Sequence, residues 1–334
     1  MTERAPPIKM EHVANAAGVS LMTVSNSFQQ PSKVRPETRE RVFAVAAELG
    51  YVPNAIAGNL ASGRSRVVGA IVPSLRNSNF AGMMQGLTEY LETQNYQLLL
   101  ANADTPERQM KSLRAFLGRR VDGLVLTGTE HPPGLRLLVQ TAGVPVVEAW
   151  NLDGPFIDMA VGFSNYRAAR ALTELIIERG YRQIGFAGYE PRESRFRERQ
   201  RGFQDALVEA GLRNDLLYFG PESLGYSGGR LAMDHLLEIE PELQALFCVT
   251  DIFAVGALFE TMRRGWAAPE RFAVTGFGDY EIAAEVPPGL TTVGLRSHSI
   301  GRAAAEMLIR KATGVAVESP VHDVGYEIVM RGSL

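Results

Sequence analysis

Cys248 is the only cysteine among the 334 residues of the chain, which excludes an intrachain disulfide and a cysteine-cluster zinc site. It lies in the apolar run Ala245-Leu-Phe-Cys-Val-Thr250 and reads as a buried small hydrophobe in a reducing compartment. No uninterrupted apolar run approaches the ~20 residues that a membrane helix needs. The polar start Met1-Thr-Glu-Arg-Ala-Pro-Pro7 lacks the apolar stretch of a secretory signal. A cytoplasmic protein without a membrane partner is expected. Net charge is only −3, so the whole molecule is no general polyanion binder, and any nucleic acid must meet a local surface. Even the first 62 residues hold only six basic groups (Arg4, Lys9, Lys33, Arg35, Arg39, Arg41) against five acidic ones. His12, His131, His235, His298 and His322 are scattered with no metal-ligand spacing. Phosphate-loop and Gly-x-Ser-x-Gly motifs are missing, and Gly276-x-Gly278 alone is too weak for a dinucleotide site. Neither an enzyme nor a cofactor or metal is expected.

What is present is an ordinary globular balance, 46% hydrophobic and 21% charged, in a length that suggests two or three domains. Residues 10–62 read as a compact helical domain. A first helix runs from Met10 to Ala17, with Val13, Ala14 and Ala17 on one face. Gly18 supplies the positive φ of a helix end, Val19 plugs the corner, and Ser20 caps the next helix. That second helix, about Leu21 to Phe28, turns Val24 and Phe28 inward and leaves Leu21, Met22, Ser25, Asn26 and Gln29 outside. Two short helices around a glycine corner match a helix-turn-helix, whose second helix enters the major groove. Leu21 and Met22 are poor choices for a solvated surface but suit contact with thymine methyls; the alternative is a plain small helical bundle. A third helix, Pro36 to about Leu49, carries Val42, Val45, Ala46 and Leu49 along one stripe and reads as support.

Val13-Ala-Asn-Ala-Ala-Gly-Val-Ser20, Thr23-Val-Ser25, Val34-Arg-Pro-Glu-Thr-Arg-Glu-Arg-Val42 and Leu49-Gly-Tyr-Val-Pro-Asn54 together resemble the headpiece of the lactose-repressor (LacI/GalR) family. The resemblance implies that Leu21, Met22 and Asn26 read bases while Ser20, Thr23 and Ser25 hold the helix on the DNA backbone. Asn26 stands where the family often has arginine; asparagine pairs with adenine and arginine with guanine, so the operator is expected to differ there. The same resemblance makes Ala55–Ser62 a hinge helix, with Asn54, Ala57 and Leu60 on DNA and Leu60 wedged into the minor groove. Eight residues containing Gly58 make a marginal helix in water, so the hinge is expected to fold only on the operator. Packing of Leu60 on the core is the alternative.

From Val67 onward short apolar runs (Val67–Val72, Tyr96–Asn102, Gly123–Leu126, Pro145–Ala149, Ile184–Ala187, Ala245–Val249, Phe272–Gly276) alternate with helical spacing at Ala81–Gln94, Tyr166–Arg179, Gly202–Ala210 and Ala254–Arg264. Such order implies parallel sheets covered by helices, with ligands beyond the carboxyl ends of the strands. The region resembles a periplasmic-binding-protein-like core of two α/β lobes. The expected organisation is an all-α headpiece over residues 1–53, a hinge and linker over 54–66 and a core over 67–334. Lobe one would hold about 67–162 and 293–318, and lobe two about 163–292 and 319–334, with crossings near Phe163, Thr292 and Ser319.

In the stretch Arg192-Glu-Ser-Arg-Phe-Arg-Glu-Arg-Gln-Arg-Gly-Phe203, Arg195 and Arg199 would share a helix face, and a guanidinium can grip a carboxylate or phosphate with two bonds. Arg199-x-x-Gly-Phe203 matches the family position of a ligand-binding arginine. Other implied effector positions are Phe80, Trp150 and Phe163 as walls, Asp251 and Asp279 as hydroxyl acceptors, and Glu148. Trp150 and Gly278 fall where many sugar-binding relatives carry aspartate, which favours an anion over a neutral hexose or purine. Pro145-Val-Val-Glu148, Asp158-Met-Ala-Val-Gly-Phe163, Phe247-Cys-x-x-Asp251 and Gly276-Phe277 resemble the gluconate-utilisation repressors of the family. The expectation is a repressor controlled by gluconate or 6-phosphogluconate, working as a homodimer on a palindromic operator. A relative answering a neutral sugar or purine, or a stand-alone sugar-binding module, remains the alternative. The end after Met330 shows no heptad pattern, so no coiled-coil segment is expected.

Overall fold

The computed structural model describes residues 8–52, 64–75, 77–190 and 193–334. The chain divides into two units, Met1–Ser65 and Arg66–Leu334. In the first unit, α1 (Met10–Ala17), α2 (Leu21–Gln29) and α3 (Pro36–Leu49) surround a small core of Val13, Ala14, Ala17, Val24, Val42 and Ala46. Gly18 ends α1 at φ +64°, a conformation costly for any residue with a Cβ. The Ser20 hydroxyl then accepts from the Thr23 amide at 3.1 Å and starts α2. Phe28 closes the base of this unit, its ring 5.0 Å from Phe43 and 6.1 Å from Tyr51. Asn54, Ala57 and Leu60, with the rest of the expected hinge helix, lie outside the described residues.

The second unit opens with β1 (Val67–Val72), α4 (Ser78–Thr93), β2 (Gln97–Asn102), α5 (Pro106–Gly118), β3 (Gly123–Thr127), α6 (Leu135–Ala142), β4 (Val146–Ala149) and β5 (Met159–Gly162). The chain continues through α7 (Asn165–Glu178), β6 (Ile184–Tyr189), α8 (Ser194–Glu209), β7 (Leu217–Gly220), α9 (Ser227–Ile239), β8 (Ala245–Cys248), α10 (Asp251–Arg263), β9 (Ala273–Thr275) and α11 (Glu281–Glu285). It ends with β10 (Thr292–Gly294), α12 (Ser297–Ala312), β11 (Val321–Asp323) and β12 (Glu327–Val329). The first sheet has the order β11-β5-β4-β3-β1-β2 and the second the order β7-β6-β8-β9, with every pairing in both parallel. β10 and β12 form an antiparallel pair on the crossing segments. Central strands such as β4, β6 and β8 are buried along their whole length, as helices on both faces require.

One expected boundary is corrected. β11 pairs in parallel with β5, Val321 beside Ala160 and Asp323 beside Gly162. Residues 321–323 therefore belong to the first sheet, and the last crossing follows Asp323 rather than Ser319. This exposed three-residue edge strand, Val-His-Asp, carries no apolar run by which to recognise it. The tail is sewn to the second sheet: Ser333 Oγ donates to the Val274 carbonyl at 2.6 Å and accepts from the Thr291 amide at 2.9 Å. Among the described residues, no helix is long and apolar enough to cross a membrane.

Candidate DNA-reading helix and effector site

The start of α2 leaves large apolar side chains in solvent. Leu21 is 48% exposed and Met22 68%, while Val24 and Ser27 on the opposite face are buried. Ser27 is satisfied locally, its hydroxyl donating to the Thr23 carbonyl at 2.8 Å. Ser20 and Thr23 hydroxyls lie 2.9 Å apart at the N-terminus of the helix, where unpaired amides favour an anion such as phosphate. Beside them runs a depression of about 390 Å³ bordered by Ser20, Thr23, Asn26, Lys33, Arg35 and Arg41. The three cations are exposed, and among the described residues no ion pair neutralises them. Exposed apolar groups, a half-buried Asn26 and unpaired cations thus share one surface, which suits base edges flanked by phosphates.

In the core, the expected effector residues divide into three groups. The first surrounds Arg199. Its side chain is buried (5% exposed), its Nε donates to Asn165 Oδ1 at 2.8 Å, and its Nη1 donates to the Val249 carbonyl at 2.9 Å. The guanidinium lies 3.8 Å from the centroid of Phe277, which stacks on Phe163 at 6.3 Å. Both of its oxygen partners are uncharged, and no carboxylate stands within 4 Å among the described residues. Burial, and then the neighbouring Arg195, pull the Arg199 pKa down to about 9.

The second group is aromatic. Phe80 meets Trp150 edge to face at 5.4 Å, and Arg195 lies 5.4 Å from the Phe80 centroid and 4.6 Å from that of Phe196. Trp150 is held at φ +82°, with its carbonyl accepting from Asn165 Nδ2 at 3.0 Å and its amide donating to Val161 at 2.9 Å. A non-glycine residue in that region stores strain, as binding sites often do. Among the described residues, Trp150 Nε1 and Arg195 Nε are both buried donors without a hydrogen-bond partner. Arg195 also borders an open cleft of about 370 Å³ between the lobes, together with Pro73, Thr105, His131, Glu193 and Ser194. Glu193 pairs with Arg195 at 2.7 Å.

The third group departs from expectation. Glu148 is wholly buried with both oxygens engaged, Oε1 at 2.9 Å from His131 Nε2 and Oε2 accepting from the Ile157 amide at 2.5 Å. It anchors two loops of the first lobe, and its expected effector role is corrected. Asp251 Oδ1 accepts from the Thr292 hydroxyl at 2.5 Å and Oδ2 from the Tyr280 amide at 2.7 Å. A Cβ at Gly276 would lie 2.2 Å from Asp251 Oδ1, so only glycine fits over this carboxylate. Burial pushes Asp251 up to about 6 against the pull of those two bonds. Asp279 is ion-paired with Arg331 at 2.8 Å. Asp251 is thus committed to Thr292 at a crossing and to the Tyr280 amide, and Asp279 to Arg331 in the tail.

Sequence reasoning placed Phe163 among the walls but missed Asn165, two residues further on, which joins Trp150 to Arg199. Nor did it single out Phe277, although the Gly276-Phe277 motif contained it.

Residues 9–54 match the family described as bacterial regulatory proteins, lacI family, and residues 65–322 match periplasmic binding proteins and sugar binding domain of LacI family. The HTH-type transcriptional regulator GntR of Escherichia coli (strain K12) is 34% identical over 326 residues, covering 97% of this chain and 98% of that protein. IdnR of the same strain, also an HTH-type transcriptional regulator, is 32% identical over 325 residues, 96% of this chain and 97% of the relative. Among solved structures, a LacI-family transcriptional regulator from Silicibacter pomeroyi superposes with a TM-score of 0.89 at 34% identity, covering 98% of this chain and 99% of that one. A helix-turn-helix that offers apolar side chains and unpaired cations, a two-lobed core and full-length likeness to these regulators agree: the chain belongs to the LacI family of DNA-binding transcriptional regulators.

Proposed function

We propose that the protein is a repressor which binds a palindromic operator as a homodimer and is controlled by a sugar acid, gluconate or its 6-phosphate. The observation that carries the effector class is the buried Arg199 guanidinium with only uncharged oxygen partners. A buried cation without a counter-charge is costly, and an anion bound against it would remove that cost. The unpartnered donors on Trp150 and Arg195 ask for acceptors in the same neighbourhood. The likeness to a regulator named GntR supports the same class.

On DNA, Leu21, Met22 and Asn26 would read bases while Ser20, Thr23 and Ser25 hold phosphates, and Asn54, Ala57 and Leu60 would add the hinge contacts. One headpiece covers only a few base pairs, so two related by a two-fold axis make the working unit. Coupling of about 1–3 kcal/mol between the core and the headpieces suffices for control. The test is titration of gluconate, 6-phosphogluconate, galactose and hypoxanthine against the full-length protein on operator DNA. A response to a sugar acid is expected. Response only to galactose or hypoxanthine would overturn the effector assignment.

A further inference from the structure

On the reading that Arg195 and Arg199 serve an anionic effector, we propose that Glu130 and Asn151 are positioning residues. They tether the first turns of α8 to the first lobe and so aim both arginines before the effector arrives.

The helix presents two faces to two tasks. Ser194 and Arg197, three residues apart, share one side, and Arg195 and Arg199, four apart, share another. Each residue of the first pair is held from across the cleft. Asn151, wholly buried after β4, donates through Nδ2 to Ser194 Oγ at 3.0 Å. Its Oδ1 accepts from the Asp153 amide at 3.1 Å, which fixes the orientation of the amide. Glu130, in the loop after β3, pairs with Arg197. That loop is itself anchored, because the ring of the next residue, His131, joins Gln109 at 3.2 Å to the buried Glu148 at 2.9 Å. An anchored carboxylate and a buried amide thus grip consecutive turns of the helix that carries the candidate effector arginines.

The Glu130–Arg197 pair is half-exposed, so its loss should weaken binding about two- to fivefold. The buried Asn151–Ser194 bond should contribute about two- to tenfold. Loss of either acts by lowering the fraction of molecules in the binding-competent arrangement.

The test uses the full-length protein, with Glu130→Gln as the surface variant, Asn151→Ala as the buried one, and the charge exchange Glu130→Arg with Arg197→Glu. Amide hydrogen exchange over residues 194–201 is measured without ligand, and gluconate affinity by calorimetry. Glu130→Gln should raise the exchange and weaken gluconate two- to fivefold while leaving thermal stability unchanged, and the charge exchange should restore both. Unchanged exchange and affinity in Glu130→Gln, or a charge exchange that restores neither, overturns the proposal. If the wild-type protein does not bind gluconate, the effector reading fails by itself, and the tether is decided by the exchange data alone. Raised exchange that the charge exchange reverses upholds it, and unchanged exchange overturns it.

Discussion

Arg199 and Asn165 form a buried pair in which the charged partner meets only a neutral one: Nε donates to Oδ1 at 2.8 Å. The other end of the same amide holds the Trp150 carbonyl, so a single side chain fixes both a cation and an aromatic wall. Asn165→Asp would supply the counter-charge that the proposed effector otherwise brings. The new charge-assisted bond offsets part of the 1–3 kcal/mol, roughly, lost when the Trp150 carbonyl gives up its donor. Gluconate affinity should fall at least tenfold, about 1.4 kcal/mol, in a variant that still folds. Calorimetry checks this; a folded variant with unaltered gluconate affinity would sink the anion assignment.

The DNA surface makes a separate prediction. Leu21 and Met22 are exposed, so Leu21→Ala or Met22→Ala should change folding stability by no more than about 0.5 kcal/mol. Operator affinity should drop by about 1–3 kcal/mol for each, as removal of one base-reading side chain does. Fluorescence anisotropy at a single fixed salt concentration measures it. Equal weakening on operator and random duplex would assign these residues to non-specific binding instead.

What the sequence disclosed follows from where each residue packs. Helices were legible where they face a core. The corner at Gly18, the cap at Ser20 and the span of α3 all rest on local rules, and all three are found. The first turns of α4 and α10 were not legible, because the expected spans began at Ala81 and Ala254 and the helices begin at Ser78 and Asp251. In α8 the apolar spacing began only at Gly202, and the Arg195–Arg199 pairing alone pointed to the turns from Ser194. Those turns carry Asn79, Arg195, Arg197, Arg199 and Asp251, polar side chains turned toward the cleft and crossings, so the apolar period starts only after them. Glu148 misled for a related reason. Its place at the end of β4 suggests a ligand contact, but its partners His131 and Ile157 lie 17 and 9 residues away, and only folding shows that they claim both oxygens.

Lys33, Arg35 and Arg41 border the depression beside α2. If they meet phosphates, replacing each with alanine should weaken operator and non-specific DNA alike. It should also flatten the plot of log affinity against log salt by about 0.9 for each phosphate that is no longer neutralised. Binding measured between low and moderate salt gives the slope. A slope unchanged in the triple variant removes these residues from the interface.

Asp251 predicts a pH dependence whose sign is fixed by its burial. Its pKa rises from 3.8 to about 6 on folding. Between those values the folded chain holds the proton more tightly than the unfolded one, so this group favours folding most below pH 3.8. Its contribution is lost as pH climbs through about 6 and is constant beyond. The two-unit shift amounts to something on the order of 3 kcal/mol. Asn at this position keeps an acceptor for the Tyr280 amide and turns its NH2 to the Thr292 hydroxyl, which can accept. Asp251→Asn should therefore abolish this part of the fall in stability between pH 4 and pH 6, and gain most over the parent at neutral pH. Urea unfolding at several pH values tests the difference between the two proteins. Parallel curves across that range would mean that Asp251 stays ionised in the folded core, with its Thr292 and Tyr280 bonds outweighing burial.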